Sequence, residues 1–167
     1  MAPIMCTIVG AKVTLAIEMF PLYTIGEVKQ KITELTNLNR NRLTLRGSHY
    51  LEELEDYLTL EECRYKGEAT IHLDVSPLSG NPEFDLVVGL PENGWKAVRV
   101  RETITVAELK DKIMDRWGIP TDKMTLIRLN TTVDDDSSRL IDYYISLLSD
   151  IRVVVESNHE REKAVER

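Results

Sequence analysis

The chain carries one pattern written twice. Residues 24–32 read TIGEVKQKI and residues 105–113 read TVAELKDKI, an offset of 81 positions. Residues 71–73 (IHL) answer residues 151–153 (IRV) at an offset of 80. Solenoid repeats run roughly 20–50 residues, so a period this long marks two tandem domains, not a stacked array. Between the copies, residues 76–83 read SPLSGNPE, with two prolines, a glycine and no hydrophobic period, the composition of a linker. The expected organisation is a first domain over 1–75, a linker over 76–83, a second domain over 84–156 and a charged tail over 157–167.

Each copy opens with period-two alternation. Ile4, Cys6 and Ile8, then Val13, Leu15, Ile17 and Met19, describe two strands with one buried face. Gly10-Ala11 suits a two-residue type II′ turn that pairs Cys6 with Leu15 and Ile8 with Val13. In the second copy a three-residue Glu92-Asn93-Gly94 loop pairs Val88 with Val98 and Leu86 with Val100. Thr24 with Glu27, and Thr105 with Glu108, are capping boxes that each start a helix. The apolar faces are Ile25, Val28, Ile32 and Leu35, then Val106, Leu109, Ile113 and Trp117. Gly118 ends the second helix and Pro120 prevents its resumption. Short strands are expected at 42–45 and 125–129, and closing strands at 70–75 and 151–156. The order β-β-α-β-β, twice, with one helix crossing a sheet, is an α+β layer architecture.

Composition narrows the function. The net charge is −7, from 21 Lys+Arg against 28 Asp+Glu, with −3 in each domain. Acidity without a basic block argues against nucleic acid or an anionic membrane as the main partner. No apolar stretch approaches the roughly 18 residues of a membrane span, and no basic segment precedes an apolar one at the N-terminus, so no signal peptide is expected. Cys6 and Cys63 make no disulfide framework, so a reducing compartment, cytoplasm or nucleus, is expected. By register Cys6 belongs to the core, and Cys63 sits half-buried beside the last turn. There is no Gly-rich phosphate loop, no Ser/His/Asp or Cys/His set and no metal-ligand spacing. The chain is therefore expected to be a monomer without enzymatic activity, cofactor or metal. The consecutive Asp134, Asp135 and Asp136 cannot all converge on one ion.

The ordered series of words resembles ubiquitin. TIGEVKQKI and TVAELKDKI resemble the start of that family's main helix, and Gly118-Ile119-Pro120 its glycine-isoleucine-proline loop. Residues 41–47 (NRLTLRG) resemble its third strand and turn. Residues 59–63 (TLEEC), 69–73 (ATIHL) and 140–145 (LIDYYI) resemble its final turn and strand. The resemblance covers nearly all of residues 4–75 and 84–156 and implies two tandem ubiquitin-like β-grasp domains.

Departures from the family carry the functional expectations. Conjugation in this family uses a C-terminal diglycine, and Gly-Gly occurs nowhere in this chain. A covalent modifier released from a processed precursor is therefore the alternative, not the first reading; the targeting region of a larger protein is another. Several eukaryotic lineages, plants included, carry ubiquitin-like proteins without the diglycine, and the chain resembles those. The family's docking patch joins a hairpin-loop leucine, a third-strand isoleucine and a last-strand histidine and valine. Those positions are matched to Thr44, His72 and Asp74 in the first copy, and to Leu90, Ile127, Arg152 and Val154 in the second. Asp74 facing an apolar partner unpaired would cost several kcal/mol. The resemblance thus implies a non-catalytic adaptor that binds protein partners, ubiquitin-pathway or proteasomal factors, through the second domain. Glu52, Glu53, Glu55 and Asp56 form an acidic loop that is a weaker partner contact. Lys29, Lys31, Lys110 and Lys112 stand where ubiquitin carries helix lysines, making them possible ubiquitin acceptors.

Overall fold

The structure, a computed structural model, describes residues 2–156; the expected charged tail lies outside the described residues. The chain divides into two units between Gly80 and Asn81. Ser76 is tied into the first, donating its N–H to the Arg42 carbonyl at 2.8 Å and accepting at its own carbonyl from Arg42 Nε at 2.8 Å. Asn81 is tied into the second, its side-chain amide donating to Thr103 Oγ1 at 2.9 Å and its carbonyl accepting from Arg101 Nε at 3.1 Å. Both ends of the expected linker therefore belong to domains.

The first unit runs β1 (Ile4–Val9), β2 (Thr14–Met19), α1 (Ile25–Thr36), β3 (Leu43–Gly47) and β4 (Glu68–Val75). Its sheet has the order β2-β1-β4-β3, with β1 and β4 parallel at the centre and antiparallel strands at the edges. The second runs β5 (Phe84–Leu90), β6 (Gly94–Val100), α2 (Val106–Trp117), β7 (Met124–Arg128), the two-residue β8 (Thr131–Thr132) and β9 (Asp150–Val155), ordered β6-β5-β9-β7-β8. β8 is an addition to the expected β-β-α-β-β order. A parallel central pair needs a crossover, and α1 and α2 supply it on the apolar face. Ile25, Val28 and Ile32 are fully buried there, as are Val106, Leu109 and Ile113.

Both hairpin registers differ from expectation by two residues. Cys6 faces Ile17 and Ile8 faces Leu15; Leu86 faces Val98 and Phe84 faces Val100. The first loop has four residues, closed by Gly10 N–H donating to the Val13 carbonyl at 3.1 Å, and Val13 folds back into the core. Gly10 does not take the positive φ that a type II′ turn requires. The second loop is Pro91-Glu92-Asn93, with Gly94 left-handed at φ 68° as the first residue of β6. A slip of two keeps every side chain on its face, so the buried sets survive.

The expected capping box is complete at the first helix and half-formed at the second, where the Glu108 carboxylate accepts from the Thr105 hydroxyl at 3.2 Å instead of from its backbone N–H. Thr24 Oγ1 accepts from Glu27 N–H at 3.1 Å and the Glu27 carboxylate accepts from Thr24 N–H at 3.2 Å. Thr105 Oγ1 accepts from Glu108 N–H at 3.2 Å. Gly118 at φ 71° and Asn37 at φ 63° close the two helices in left-handed conformation. Leu35 is 45% exposed, contrary to the expected apolar face. Thr36 occupies that place, fully buried, with its hydroxyl donating to the Ile32 carbonyl at 2.8 Å.

The two units share internal devices at the repeat offset. Lys29 Nζ pairs with Asp56 at 2.6 Å and Lys110 Nζ with Asp136 at 2.8 Å. Each ties the loop before the final turn to its helix. Lys29 is 7% exposed and so is not the expected open helix lysine; Lys110 is engaged likewise, while Lys31 and Lys112 are exposed. The left-handed residues Arg64 (φ 68°) and Tyr144 (φ 61°) turn the chain at matching points, after which Tyr65 and Ile145 each donate an N–H back, to Leu60 and Leu140 carbonyls, at 3.1 Å.

Candidate protein-docking surface

The face of each sheet turned away from the helix is where the two copies part. Period two sends Thr125, Ile127, Arg152 and Val154 to this face of the second unit, and Thr44, Arg46, His72 and Asp74 to that of the first. Ile127 lies opposite Arg152 and Thr125 opposite Val154. Arg46 lies opposite His72 and Thr44 opposite Asp74. The registers therefore match Ile127 with Arg46, not with Thr44, which corresponds to Thr125. The correction follows from cross-strand pairing, which neighbouring words in the sequence do not reveal.

One diagonal then decides the chemistry of each face. In the first unit Arg46 Nε donates to Asp74 Oδ2 at 2.8 Å. Asp74 is thus not an unpaired charge, but the face is a polar surface of Thr44, Arg46, His72 and Asp74. In the second unit the same diagonal joins half-buried Ile127 to Val154, which is 40% exposed.

Trp95, absent from the expected site, completes the second face. It lies across from Gly89, and Gly89 lies across from Arg152. A Cβ built on Gly89 would meet three Trp95 ring carbons at 2.8, 2.9 and 3.2 Å, so the indole lies flat over the glycine. Glycine here serves close approach, since its φ is not left-handed. The ring remains 58% exposed. A row of Trp95, Gly89, Arg152 and Ile127 thus crosses four strands. Two depressions flank Arg152. One of about 400 Å³ is lined by Leu90, Pro91, Trp95 and Val154, and one of about 160 Å³ by Trp95, Ile127 and Asn130. The signal that could have found Trp95 is the glycine near the end of a mostly apolar strand.

Leu90 does not act as the exposed leucine that the resemblance implied. It is 6% exposed, because the hairpin register keeps it at the end of β5, facing inward. It still contributes to the lining of the larger depression.

The remaining candidates separate. Glu52, Glu53, Glu55 and Asp56 all lie exposed on the loop after β3. The Glu52 carboxylate sits over Gly47, and Asp56 holds Lys29 and Arg40, at 2.6 and 3.7 Å. The Lys29 hydrogen bond holds the Asp56 carboxyl below the usual carboxylate range. The three consecutive aspartates take separate partners. Asp134 accepts from the Tyr143 hydroxyl at 3.4 Å, Asp135 from Ser137 and Ser138 hydroxyls at 2.7 and 2.9 Å, and Asp136 pairs with Lys110. Among the described residues no three His, Cys, Asp or Glu side chains gather as a metal site, and no helix is long and apolar enough to cross a membrane. Cys6 is fully buried, and burial pushes its thiol up to about 11; Cys63, half-buried, is also raised.

A family model described as the ubiquitin family matches residues 9–78, and one described as a ubiquitin-like domain matches residues 90–160. Among solved structures, the chain is similar to the solution NMR structure of the ubiquitin-like domain of an Arabidopsis thaliana protein. The identity is 29% over 49% of this chain and 86% of that one, with a TM-score of 0.46. With two ubiquitin-like domains matched in series over two α+β units of common design, the chain is a tandem ubiquitin-like protein.

Proposed function

We propose that the protein is a non-catalytic adaptor whose second domain docks proteins of the ubiquitin or proteasomal system on the face formed by Trp95, Ile127, Arg152 and Val154. The observation that carries this reading is the Ile127–Val154 diagonal beside the exposed Trp95 ring, set against the Arg46–Asp74 ion pair at the same place in the first domain. Exposed aromatic and aliphatic groups with an Arg at the centre have the composition of an energetic hot spot. Arg152 gives the surface a directional donor for a partner carboxylate.

The test is an NMR titration of the isotope-labelled full chain with a ubiquitin-interacting helix and with a second, unrelated ubiquitin-binding domain. Shifts are expected at residues 87–97, 125–128 and 150–155 for at least one of them. Ile127→Ala and Trp95→Ala are each expected to weaken binding about tenfold, or about 1.4 kcal/mol. Arg46→Ala is expected to leave it unchanged. Equal affinity for wild type and Ile127→Ala would remove the assignment.

A further inference from the structure

We infer that the first domain has a docking surface of its own, away from its sheet face, built for a protein segment that is both apolar and basic. Two segments of this domain run antiparallel at the start of α1. Gly26 N–H donates to the Asp56 carbonyl at 2.9 Å and Ile25 N–H to that of Leu58 at 2.8 Å. Leu60 N–H donates to the Tyr23 carbonyl at 3.0 Å and Glu61 N–H to that of Pro21 at 2.9 Å. These bonds fix the backbone and leave four large apolar side chains outward. Phe20 is 39% exposed, Leu22 58%, Tyr23 40% and Tyr57 75%. Phe20 and Tyr23 pack edge to face with ring centroids 6.0 Å apart.

The second domain shows that folding does not ask for these residues. It builds the same ribbon, with Ala107 N–H donating to Asp136 at 3.0 Å, Val106 to Ser138 at 2.9 Å, Leu140 to Ile104 at 3.0 Å and Ile141 to Glu102 at 3.0 Å. At the offset positions it carries Arg101, Thr103, Ile104 and Ser137. One backbone holds together with a largely polar set, so the aromatic set of the first domain serves something other than the ribbon. Contiguous exposed apolar surface on a soluble domain marks an interaction site.

Charge says what covers it. Glu55, Glu61 and Glu62 are exposed around Tyr57 and Tyr23, against a single exposed base on the same turn, Arg64. Asp56 is already matched by Lys29 and Arg40. An acidic rim about an aromatic centre selects apolar anchors flanked by Lys or Arg, which gain both carboxylate contacts and the faces of the tyrosine rings. An acidic segment, or a second copy of this acidic chain, would meet repulsion.

The experiment pans a display library of random peptides of about 12 residues on the full chain. A parallel panning uses Leu22→Thr/Tyr57→Ser, which installs the residues of the second domain. Both side chains are mostly exposed, so the variant is expected to keep its amide spectrum. Glu55→Lys/Glu61→Lys serves as the second variant and touches no apolar group. Enriched peptides are expected to combine Lys or Arg with aromatic or aliphatic anchors and to bind each variant about tenfold more weakly than wild type. Their affinity is expected to fall several-fold as salt rises from about 0.05 to 0.3 M. The shifted amides are expected at 20–23 and 55–62. Failure to enrich any peptide, acidic or uncharged winners, equal binding by both variants, concentration-dependent self-association through these residues, or shifts confined to the second domain would each overturn the inference.

Discussion

Gly89→Ala is expected to destabilise the second domain while Trp95 is present and to stabilise it once Trp95 is gone. The new Cβ would lie 2.8–3.2 Å from three indole carbons, where relaxed carbon contacts are about 3.5–4.0 Å. The backbone at Gly89 is not left-handed, so the ring, not φ, is the obstacle. Trp95 is 58% exposed. Of the roughly 250 Å² of a tryptophan side chain, about 100 Å² is thus covered, worth about 2.5 kcal/mol at about 25 cal/mol/Å². Lifting the ring loses part of that, and the added methyl recovers some, leaving a cost of about 1 kcal/mol. In a Trp95→Ala background only the backbone term remains, which favours Ala over Gly inside a strand by about 0.5–1 kcal/mol. The coupling is therefore about 1.5–2 kcal/mol. Urea titrations of the four chains, read at the Val88 and Leu126 amides, isolate the second domain from the first. Gly89→Ala stabilising by the same amount in both backgrounds would show that the indole is not seated on the sheet. Docking on that face is expected to weaken with Gly89→Ala as it does with Trp95→Ala.

Asp56→Asn is expected to cost the first domain about 1–3 kcal/mol at neutral pH. That is less than the roughly 3–5 for breaking a fully buried pair, because the Asp56 side chain is 50% exposed. The folded carboxyl is held below its ordinary value, so its contribution is complete above about pH 4 and is lost as pH falls through the depressed value. A pH series of denaturation midpoints should show the Asn variant flattening that acid limb. With its thiol pushed up to about 11, Cys6 is about one part in a thousand thiolate at pH 8. Iodoacetamide followed by mass spectrometry should label Cys63 first and Cys6 only on unfolding. Ser146→Ala removes the 2.6 Å hydrogen bond from the Ser146 hydroxyl to the carboxylate of Glu102, which is 1% exposed. Calorimetry of the full chain should register a loss of about 1–3 kcal/mol in the second domain.

What the sequence reveals here is periodicity, and what it hides is register. The alternation of Ile4, Cys6 and Ile8, or of Phe84, Leu86 and Val88, identifies the buried face whatever the loop length. Shifting either hairpin by two leaves those faces intact, so hydrophobicity alone does not separate Cys6–Leu15 from the observed Cys6–Ile17 pair. For the same reason the sequence alone matches Thr44, not Arg46, with Ile127 and turns Leu90 outward. Helical spacing likewise offers Leu35 and Thr36 almost equally; the choice falls to Thr36 because its hydroxyl satisfies the Ile32 carbonyl and accepts from Leu38 N–H at 3.2 Å, while Leu38 itself turns into the core. Lys29 reads as a solvated helix lysine until the loop bearing Asp56 is seen to close over it.

The internal repeat separates fold from surface without recourse to relatives. The Lys–Asp clasp, the N-terminal threonine caps and the left-handed turn residue recur in both copies because the shared backbone needs them. The Arg46–Asp74 and Ile127–Val154 diagonals differ although their backbone environments match, so the backbone does not account for the difference, and partner recognition is the role proposed for it. Exchanging them tests this directly. Arg46→Ile/Asp74→Val gives up an exposed ion pair, worth about 0–1 kcal/mol, and places two β-favouring apolar residues on a sheet. Ile127→Arg/Val154→Asp does the reverse. Each double variant should keep its domain within about 1 kcal/mol of the parent, as exposed substitutions generally do. Binding should nevertheless follow the residues: the second domain loses its partner, and the first gains measurable affinity for it. That gain should be partial, because His72 stands where Arg152 does and no Trp95 lies alongside. If the exchanged first domain binds no better than before, the diagonal is not the determinant, and the indole over Gly89 becomes the part of the surface on which recognition turns.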